Sequence, residues 1–172
     1  MQFTIHHDID APLDAIELAM MSPDLGPLMG HNFAALESVQ AVEHEVADNT
    51  FSRVWRFQAK APLKVLRAYD ISRDMMSWEE HSSYTRATHC ATWHVYPLGD
   101  TDPEAPWRRH FHASGRYQLT TLSGGRTRRT VSGELSVRLR LVGNVVERAA
   151  IKRLHDAYEA EANALRMLCT LP

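Results

Sequence analysis

The stretch between residues 145 and 169 constrains the fold more than any other part of this sequence. Apolar residues recur in it at helical spacing, at Val146, Ala150, Leu154, Tyr158, Ala162, Leu165 and Cys169. A helix of this length, at ~1.5 Å per residue, spans roughly 35 to 40 Å. A long helix with one apolar face must cover an apolar surface, and we expect the rest of the chain to supply that surface.

That surface is predicted to be an antiparallel sheet. Six segments with the period-two pattern of strands precede the helix, and their connections are short, which favours antiparallel pairing. A further strand, QFTIHHDI, opens the chain, and two short helices follow it at Pro12 and Pro23. The segment KAPLKVLRAYDISRD is ambiguous between a short strand and a turn of helix, because Pro62 argues against a central strand. The predicted class is therefore α+β, with about seven strands covered by the C-terminal helix.

Asp48 and Asn49 are typical of a two-residue hairpin turn. The turn predicts four facing pairs, which are Val46 with Phe51, His44 with Arg53, Val42 with Trp55, and Gln40 with Phe57. This face is apolar and should form the core. An arginine there needs a partner, an opening to water or an anionic ligand. Glu80 is a candidate partner for Arg53, and the alternative is that Arg53 reaches solvent near a strand end.

Four histidines and a cysteine lie close together in the sequence, at His89, Cys90, His94, His110 and His112. Strand alternation predicts that only His89 points inward, while the other four lie on the polar outer face. A solvated sheet surface lacks groups that orient imidazoles, and the spacing matches no structural zinc motif, so we predict no metal site. His89 is either a core histidine satisfied by one hydrogen bond or a polar group that orients a ligand.

The composition limits the classes of partner and location. The 172 residues fit one domain, 1–172, and the net charge of −2 argues against nucleic-acid binding, even with a basic turn at 124–129 that is ordinarily a solvated hairpin tip. No apolar run is long enough for an integral membrane protein. The start of the chain lacks the pattern of a secretion signal, and the two cysteines have no motif spacing, which together predict a cytoplasmic protein with free thiols.

The order of elements resembles the START-like superfamily, also called SRPBCC, over nearly the whole chain. The resemblance lies in FTIHHDIDAPLDAIELAMMSPD at the start and in GGRTRRTVSGELSVRLRLVGNVVERAAIKRLHDAYEAEANALRML at the end. MMSWEEHSSY followed by ATWHVYP is similar to a bacterial, largely uncharacterised branch. The resemblance implies a helix-grip fold, in which a curved antiparallel sheet wraps the C-terminal helix and leaves a cavity between them. It implies no catalytic residue, because that superfamily has no shared catalytic motif.

With this fold, we expect the protein to bind a hydrophobic or amphipathic small molecule, a lipid or an aromatic metabolite, without a cofactor. The predicted ligand-binding residues are side chains of the inner face, namely Arg53, Trp55, Trp78, His89, Trp93, Phe111, Tyr117 and Tyr158. Gln40 is a further polar candidate. Small neighbours such as Gly115 favour a hollow beside Trp93, although large and small side chains can equally interdigitate into a solid core.

Two other functions stay open at this point. An enzyme of the cyclase, dehydratase or hydrolase type would use the same cavity, with His89 or Glu80 as its acid or base. The usual nucleophile and phosphate-binding motifs are absent from the sequence. A protein-interaction module would instead have a filled core. Whether a cavity exists and retains a ligand separates the three.

Overall fold

The computed structural model describes residues 1–61, 63–66, 69–71, 77–98, 111–138 and 143–170. Within them the strands are β1 (Gln2–Ile9), β2 (Leu36–Val46), β3 (Thr50–Ala59), β4 (Leu63–Leu66), β5 (Tyr69–Ile71), β6 (Trp78–Thr85), β7 (Cys90–Pro97), β8 (Phe111–Thr121) and β9 (Thr127–Val137). The helices are α1 (Leu13–Met20), α2 (Leu25–Asn32) and α3 (Gly143–Thr170). The predicted order of elements is confirmed, and the ambiguous segment contains the two short strands β4 and β5. His110 lies outside the described residues.

Seven strands form one antiparallel sheet in the order β1-β9-β8-β7-β6-β3-β2, and β4 pairs with β5 separately. Strands joined by short connections lie next to each other in the sheet, and β1 is the edge strand beside β9. The long helix α3 packs against β1 and β9 and also against α1 and α2. This is the α+β helix-grip architecture that the sequence predicted. Of the helices in the described ranges, none is both long and apolar enough to cross a membrane.

Alternation along the strands separates a buried face from an exposed one. The buried set on the central strands comprises Phe51, Arg53, Trp55 and Phe57 of β3, Trp78, Glu80, Ser82 and Tyr84 of β6, and Ala91, Trp93 and Val95 of β7. The side chains between them on β7, Thr92 and His94, are exposed. On these three strands the inner face therefore contains two ionisable residues, Arg53 and Glu80, among its aromatic ones, which is unusual for a core.

The pairing of β2 with β3 corrects part of the predicted register. The turn and its first two pairs are as predicted, but a β-bulge lies between Ala41 and Glu43. Beyond the bulge the pairs are Ala41 with Trp55 and Val39 with Phe57, in place of the predicted Val42 and Gln40. Val42 is 43% exposed and Gln40 is exposed as well, so neither belongs to the core. The prediction was wrong because one extra residue reverses the facing of the strand beyond it.

The indole of Trp93 fills the space at Gly115 where a hollow was expected. Gly115 and Gly133 face each other across β8 and β9, and a Cβ on either would lie 2.5 Å from Cζ2 of Trp93. The indole also contacts the rings of Phe3 and Tyr158, with centroids 6.0 and 5.9 Å away. At this position the large and small side chains interdigitate, so the expected hollow at Gly115 is wrong. The glycines are needed because the indole approaches their backbone closely.

Candidate functional site

Charged side chains are buried between the sheet and α3. The buried polar cluster, as we name it, consists of Arg53 of β3, Glu80 of β6, Arg129 of β9, and Tyr158 and Glu161 of α3. Each of these residues is at most 5% exposed. A charge removed from water at this depth requires opposite charges and hydrogen bonds close by. The cluster therefore has to be largely self-compensating.

Glu161 lies between two arginines. Arg53 Nη2 donates to Glu161 Oε1 at 2.5 Å, and Arg129 Nη2 donates to Glu161 Oε2. Burial by itself raises the pKa of Glu161, but the charges of Arg129 and Arg53 outweigh burial and the pKa is lowered. Glu161 is therefore ionised at neutral pH. Arg53 lies on the inner face, and its hydrogen bonds go to Glu161 and the carbonyl oxygen of Met20. Glu80, the candidate partner, acts on Arg53 through its charge, and the alternative route to solvent is wrong because Arg53 is only 2% exposed.

Glu80 is held in a different state from Glu161. Tyr158 donates its hydroxyl to Glu80 Oε2 at 3.1 Å. Burial raises the pKa of Glu80, and the negative charge of Glu161 raises it further, to about 7, against the opposing effect of Arg53. Near neutral pH, Glu80 is therefore present in both protonation states. With two arginines and two carboxyls, the cluster has a net charge between zero and +1.

Aromatic rings surround the guanidinium groups. Arg129 Cζ lies 5.0 Å from the ring centroid of Tyr117 and 5.3 Å from that of Tyr158. Arg53 Cζ lies 5.3 Å from the ring of Trp55. At these distances the ring faces attract the cations and shield them from water. The cluster thus combines charge with apolar contact area.

Several polar atoms in and beside the cluster have no hydrogen-bond partner among the described residues. They include Arg53 Nε, Arg129 Nε, Arg129 Nη1, Trp55 Nε1, Trp93 Nε1, Ser82 Oγ and Tyr117 Oη. Buried polar groups in native proteins nearly always have a partner, and each unpaired one costs about 1–3 kcal/mol. All five nitrogens are hydrogen-bond donors only. The chain therefore presents unused donors at the centre of its interior.

The structure brings together five of the predicted ligand-binding residues, namely Arg53, Trp55, Trp93, Tyr117 and Tyr158. Trp78 is buried elsewhere on the inner face and stacks on Phe57 at 4.7 Å. Phe111 is partly buried at the start of β8, in register with Val137. Arg53 and Tyr158 of the predicted set thus belong to the cluster, Trp55, Trp93 and Tyr117 lie beside it, and Trp78 and Phe111 pack against other neighbours.

His89 does not lie on the inner face of the sheet. β7 begins only at Cys90, and His89 follows a 3-10 turn with a left-handed φ of 53°. Its side chain is 43% exposed, and Nδ1 lies 2.9 Å from Oε1 of the buried Glu17, which also accepts the hydroxyl of Tyr84 at 2.6 Å. The inward prediction was wrong because strand alternation does not apply to a residue in a turn.

Sequence reasoning missed Arg129 and Glu161. Arg129 was assigned to a solvated basic turn, yet its side chain is 0% exposed. Its position has the same parity as Val131, which is buried on the inner face. Glu161 follows Tyr158 by three residues and therefore shares the apolar face of α3. Both signals were present in the sequence, but a charged residue is ordinarily placed at the surface.

The outer face contains His94 and His112, two of the histidines predicted there. His94 and His112 are exposed, and His112 Nε2 lies 3.0 Å from Ser114 Oγ and 3.4 Å from Glu134 Oε1. Across the part of the chain that the structure describes, no three His, Cys, Asp or Glu side chains are grouped as metal ligands would be. An open pocket of about 260 Å³ borders His94 and is lined largely by polar side chains. This surface lacks the aromatic walls of the buried polar cluster.

Comparisons with known proteins agree with the architecture. A family model described as Protein of unknown function (DUF2505) matches residues 4–168, and a search of curated proteins found no match. The chain is similar to TTHA0849 from Thermus thermophilus, with a TM-score of 0.61, 15% identity, and 98% of this chain and 97% of that chain covered. It is similar to the Zhui aromatase/cyclase from Streptomyces sp. R1128, with a TM-score of 0.61, 15% identity and coverage of 98% and 93%. A START superfamily protein from Mycobacterium smegmatis has a TM-score of 0.55, 12% identity and coverage of 97% and 98%. At these identities the likeness shows the START-like helix-grip fold.

Proposed function

The chain belongs to the DUF2505 family, and we propose that it binds a hydrophobic or amphipathic small molecule, a lipid or an aromatic metabolite, between its sheet and α3. The observation that carries the proposal is the set of unpaired donors in the buried polar cluster. A site for a small organic molecule is mostly apolar, with a few polar groups that fix its orientation. The cluster supplies the polar groups of such a site, and the rings of Trp55, Trp93 and Tyr117 beside it supply the apolar surface.

The proposed binding residues are those of the predicted set that the fold gathers, together with one that sequence reasoning missed. Trp55, Trp93 and Tyr158 supply apolar contact area, while Tyr117 and Arg129 supply hydrogen-bond donors. Similarity in fold to an aromatase/cyclase supports a fold that binds small molecules but identifies neither the site nor the ligand.

A second candidate function, proton-transfer catalysis of the cyclase or dehydratase type, is favoured by one observation. Glu80 is buried, has a pKa raised to about 7 by burial and by Glu161, and accepts the hydroxyl of Tyr158. A carboxyl with a pKa near the ambient pH can both take up and release a proton. His89, the other candidate acid or base, is bonded to Glu17 at the turn before β7 and is not part of this cluster.

A protein-interaction module is the third possibility. The packing of Trp93 over Gly115 is what a filled core requires at that point. The unpaired nitrogens of Arg129 and Trp93 argue against a core filled only by its own side chains, because such a core leaves few buried donors unpaired.

Native mass spectrometry tests the proposed function. Protein purified without denaturation, or incubated with a lipid and metabolite extract, should have one additional small-molecule mass that denaturation releases. A chain that retains nothing under either condition contradicts the proposal and favours the interaction module. For the enzyme alternative, the released molecule should be converted on prolonged incubation with the wild type and left unchanged by Glu80→Gln.

A further inference from the structure

We propose that the polar end of the bound molecule is an oxyanion, a carboxylate or a phosphate monoester, that accepts hydrogen bonds from Arg129, Trp93 and Tyr117. This inference rests on the proposed function and specifies the chemical class of its ligand. It follows from which atoms of the buried polar cluster are paired, which are unpaired, and what charge the cluster has.

Arg129 is the strongest of the unused donors. Its side chain is 0% exposed, Nη2 donates to Glu161, and Nε and Nη1 have no partner among the described residues. A guanidinium has five N–H groups and does not lose its charge at physiological pH. Hydrogen bonds from a charged donor to an anionic oxygen are the strongest that such a group can make. An oxyanion therefore fits the free side of Arg129 better than a neutral acceptor does.

Most of the neighbouring unpaired atoms have the same preference; the exception is His7, whose pKa is lowered by burial, so that its neutral ring keeps one nitrogen that accepts. Nε1 of Trp93 and Nε1 of Trp55 can only donate, and the hydroxyls of Tyr117 and Ser82 can donate as well. Both oxygens of Glu161 are already used. An ammonium group can only donate hydrogen bonds, so it cannot pair with these donors. An oxyanion has several lone pairs and can accept from more than one of them.

The charge of the cluster favours the same ligand class. Arg53 faces Glu80 from β3, Arg129 faces it from β9, and Tyr158 and Glu161 face it from α3. With Glu80 protonated, the two arginines exceed the single charge of Glu161, and an anionic ligand restores neutrality. Binding an anion should therefore favour the protonated form of Glu80, and the affinity should fall as the pH rises through about 7.

Isothermal titration calorimetry at pH 6.5 with matched probes tests the inference. The probes are dodecanoate, dodecyl phosphate, dodecanol and dodecylamine, together with naphthalene-2-acetate and its alcohol analogue. Where a pair binds, the anionic member should bind about tenfold or more tightly than the neutral one, since a hydrogen bond to a charged group contributes about 1.5–3 kcal/mol. Whichever of dodecanoate and dodecyl phosphate binds more tightly shows whether the site prefers a carboxylate or a phosphate monoester.

The possible results separate the two proposals. Equal affinity for anion and alcohol, or tighter binding of the amine, overturns the oxyanion and leaves the proposed function intact. Binding of none of the six probes contradicts the proposed function itself, and the oxyanion with it.

Two variants locate the contact. Tyr117→Phe removes a hydroxyl that has no partner among the described residues, so it should fold normally and lose about three- to tenfold in affinity for the anionic probe. Tyr84→Phe is the matched control, because its ring stacks on Tyr117 at 5.9 Å while its hydroxyl donates to Glu17, and its affinity should be unchanged. Arg129→Lys should lower the affinity for the anionic probe by at least about tenfold and should change the affinity for the neutral probe little. Unchanged anion affinity in both Tyr117→Phe and Arg129→Lys overturns the assignment; if Arg129→Lys does not fold, Tyr117→Phe decides alone.

Discussion

At the scale of single residues, Glu161 determines how the interior is charged. Its carboxylate accepts hydrogen bonds from Arg53 and Arg129, which come from strands near opposite edges of the sheet. A shared buried ion pair contributes less to stability than its close contacts suggest, because the three charges were removed from water to form it. Removing one member is nevertheless costly, since the others are left buried without compensation.

Glu161→Gln should therefore lower the free energy of unfolding by about 3–5 kcal/mol at pH 7. The control is Glu159→Gln on the same helix, whose side chain is 57% exposed and lies near His7 and Arg166. Burial lowers the pKa of His7, so at pH 7 its contact with Glu159 is not an ion pair, and the exposed pair of Glu159 with Arg166 contributes about 0–1 kcal/mol. This variant should therefore be nearly as stable as the wild type. Urea denaturation of the three proteins gives the comparison, and equal losses in both variants would show that Glu161 is not the centre of the cluster.

Glu80 should give stability a pH dependence that Glu80→Gln removes. The folded protein holds this proton up to about pH 7, whereas the ordinary pKa is 4.5, so the folded state binds more protons than the unfolded state between these values. Stability from this group is therefore fully present below pH 4.5 and decreases as the pH rises to about 7. The decrease amounts to roughly 3 kcal/mol.

The measurement is urea denaturation of wild type and Glu80→Gln between pH 4.5 and 8. The difference in stability between the two should shift by roughly 3 kcal/mol in favour of the variant as the pH rises. For the control, Glu45→Gln on the exposed part of β2, the corresponding difference should stay within about 0.5 kcal/mol. A flat difference for Glu80→Gln would mean that Glu80 is ionised in the fold like an exposed carboxyl.

At the scale of elements, four strands and α3 meet around Trp93, since Phe3 of β1 also contacts its ring. The indole of this β7 residue lies over Gly115 of β8 and Gly133 of β9 and beside Tyr158 of α3. The two glycines thus allow the sheet to accept a large ring at its centre. Any side chain at these positions must displace either the ring or the neighbouring strand.

Gly115→Ala should destabilise the protein by roughly 3 kcal/mol, at the upper end of what overpacking a core costs. Its Cβ would lie 2.1 Å from the carbonyl oxygen of Ser132 and 2.5 Å from Trp93 Cζ2. Gly30→Ala in α2 is the control, because its Cβ would have no neighbour closer than 3.9 Å, and alanine is favoured over glycine in a helix by about 0.5–1 kcal/mol. The thermal denaturation midpoint should therefore fall for Gly115→Ala and rise for Gly30→Ala. An unchanged midpoint for Gly115→Ala would contradict the close packing of Trp93 against Gly115.

The elements that the sequence predicted well are those with a regular period. Helical spacing located α3, and alternation assigned Trp55, Trp93 and Tyr117 to the inner face. The predictions that failed concern residues at which a bulge or a turn interrupts the alternation of the strand. The bulge in β2 exposed Val42, and the turn before β7 removed His89 from the strand. Neither a bulge nor a strand start has a reliable signal in a single sequence.

The whole molecule is a START-like helix-grip fold whose helix and sheet are joined by charge as well as by apolar contact. Arg129 was the part of the candidate site hardest to predict, because its neutralisation depends on Glu161, which is 32 residues away along the chain. A buried charge becomes interpretable only when its partner is known, and the partner here is supplied by tertiary structure. The fold was therefore predictable from the sequence, and so were Arg53 and Glu80 as candidates on the inner face, while Arg129 and Glu161 were not.

Titration of the indole N–H signals by ¹⁵N NMR tests most directly whether the buried polar cluster binds a small molecule. The chain has four tryptophans, whose signals can be assigned with single Trp→Phe variants. With dodecanoate or naphthalene-2-acetate as the probe, the signals of Trp93 and Trp55 should shift in a saturable, one-to-one manner, because their N–H groups are unpaired beside the cluster. The N–H of Trp78 is unpaired as well, but this ring stacks on Phe57 and, among the described residues, contacts neither arginine of the cluster, so its signal should move little. Saturable binding that leaves Trp93 and Trp55 unshifted, or probes that do not bind at all, would contradict a ligand site between the sheet and α3.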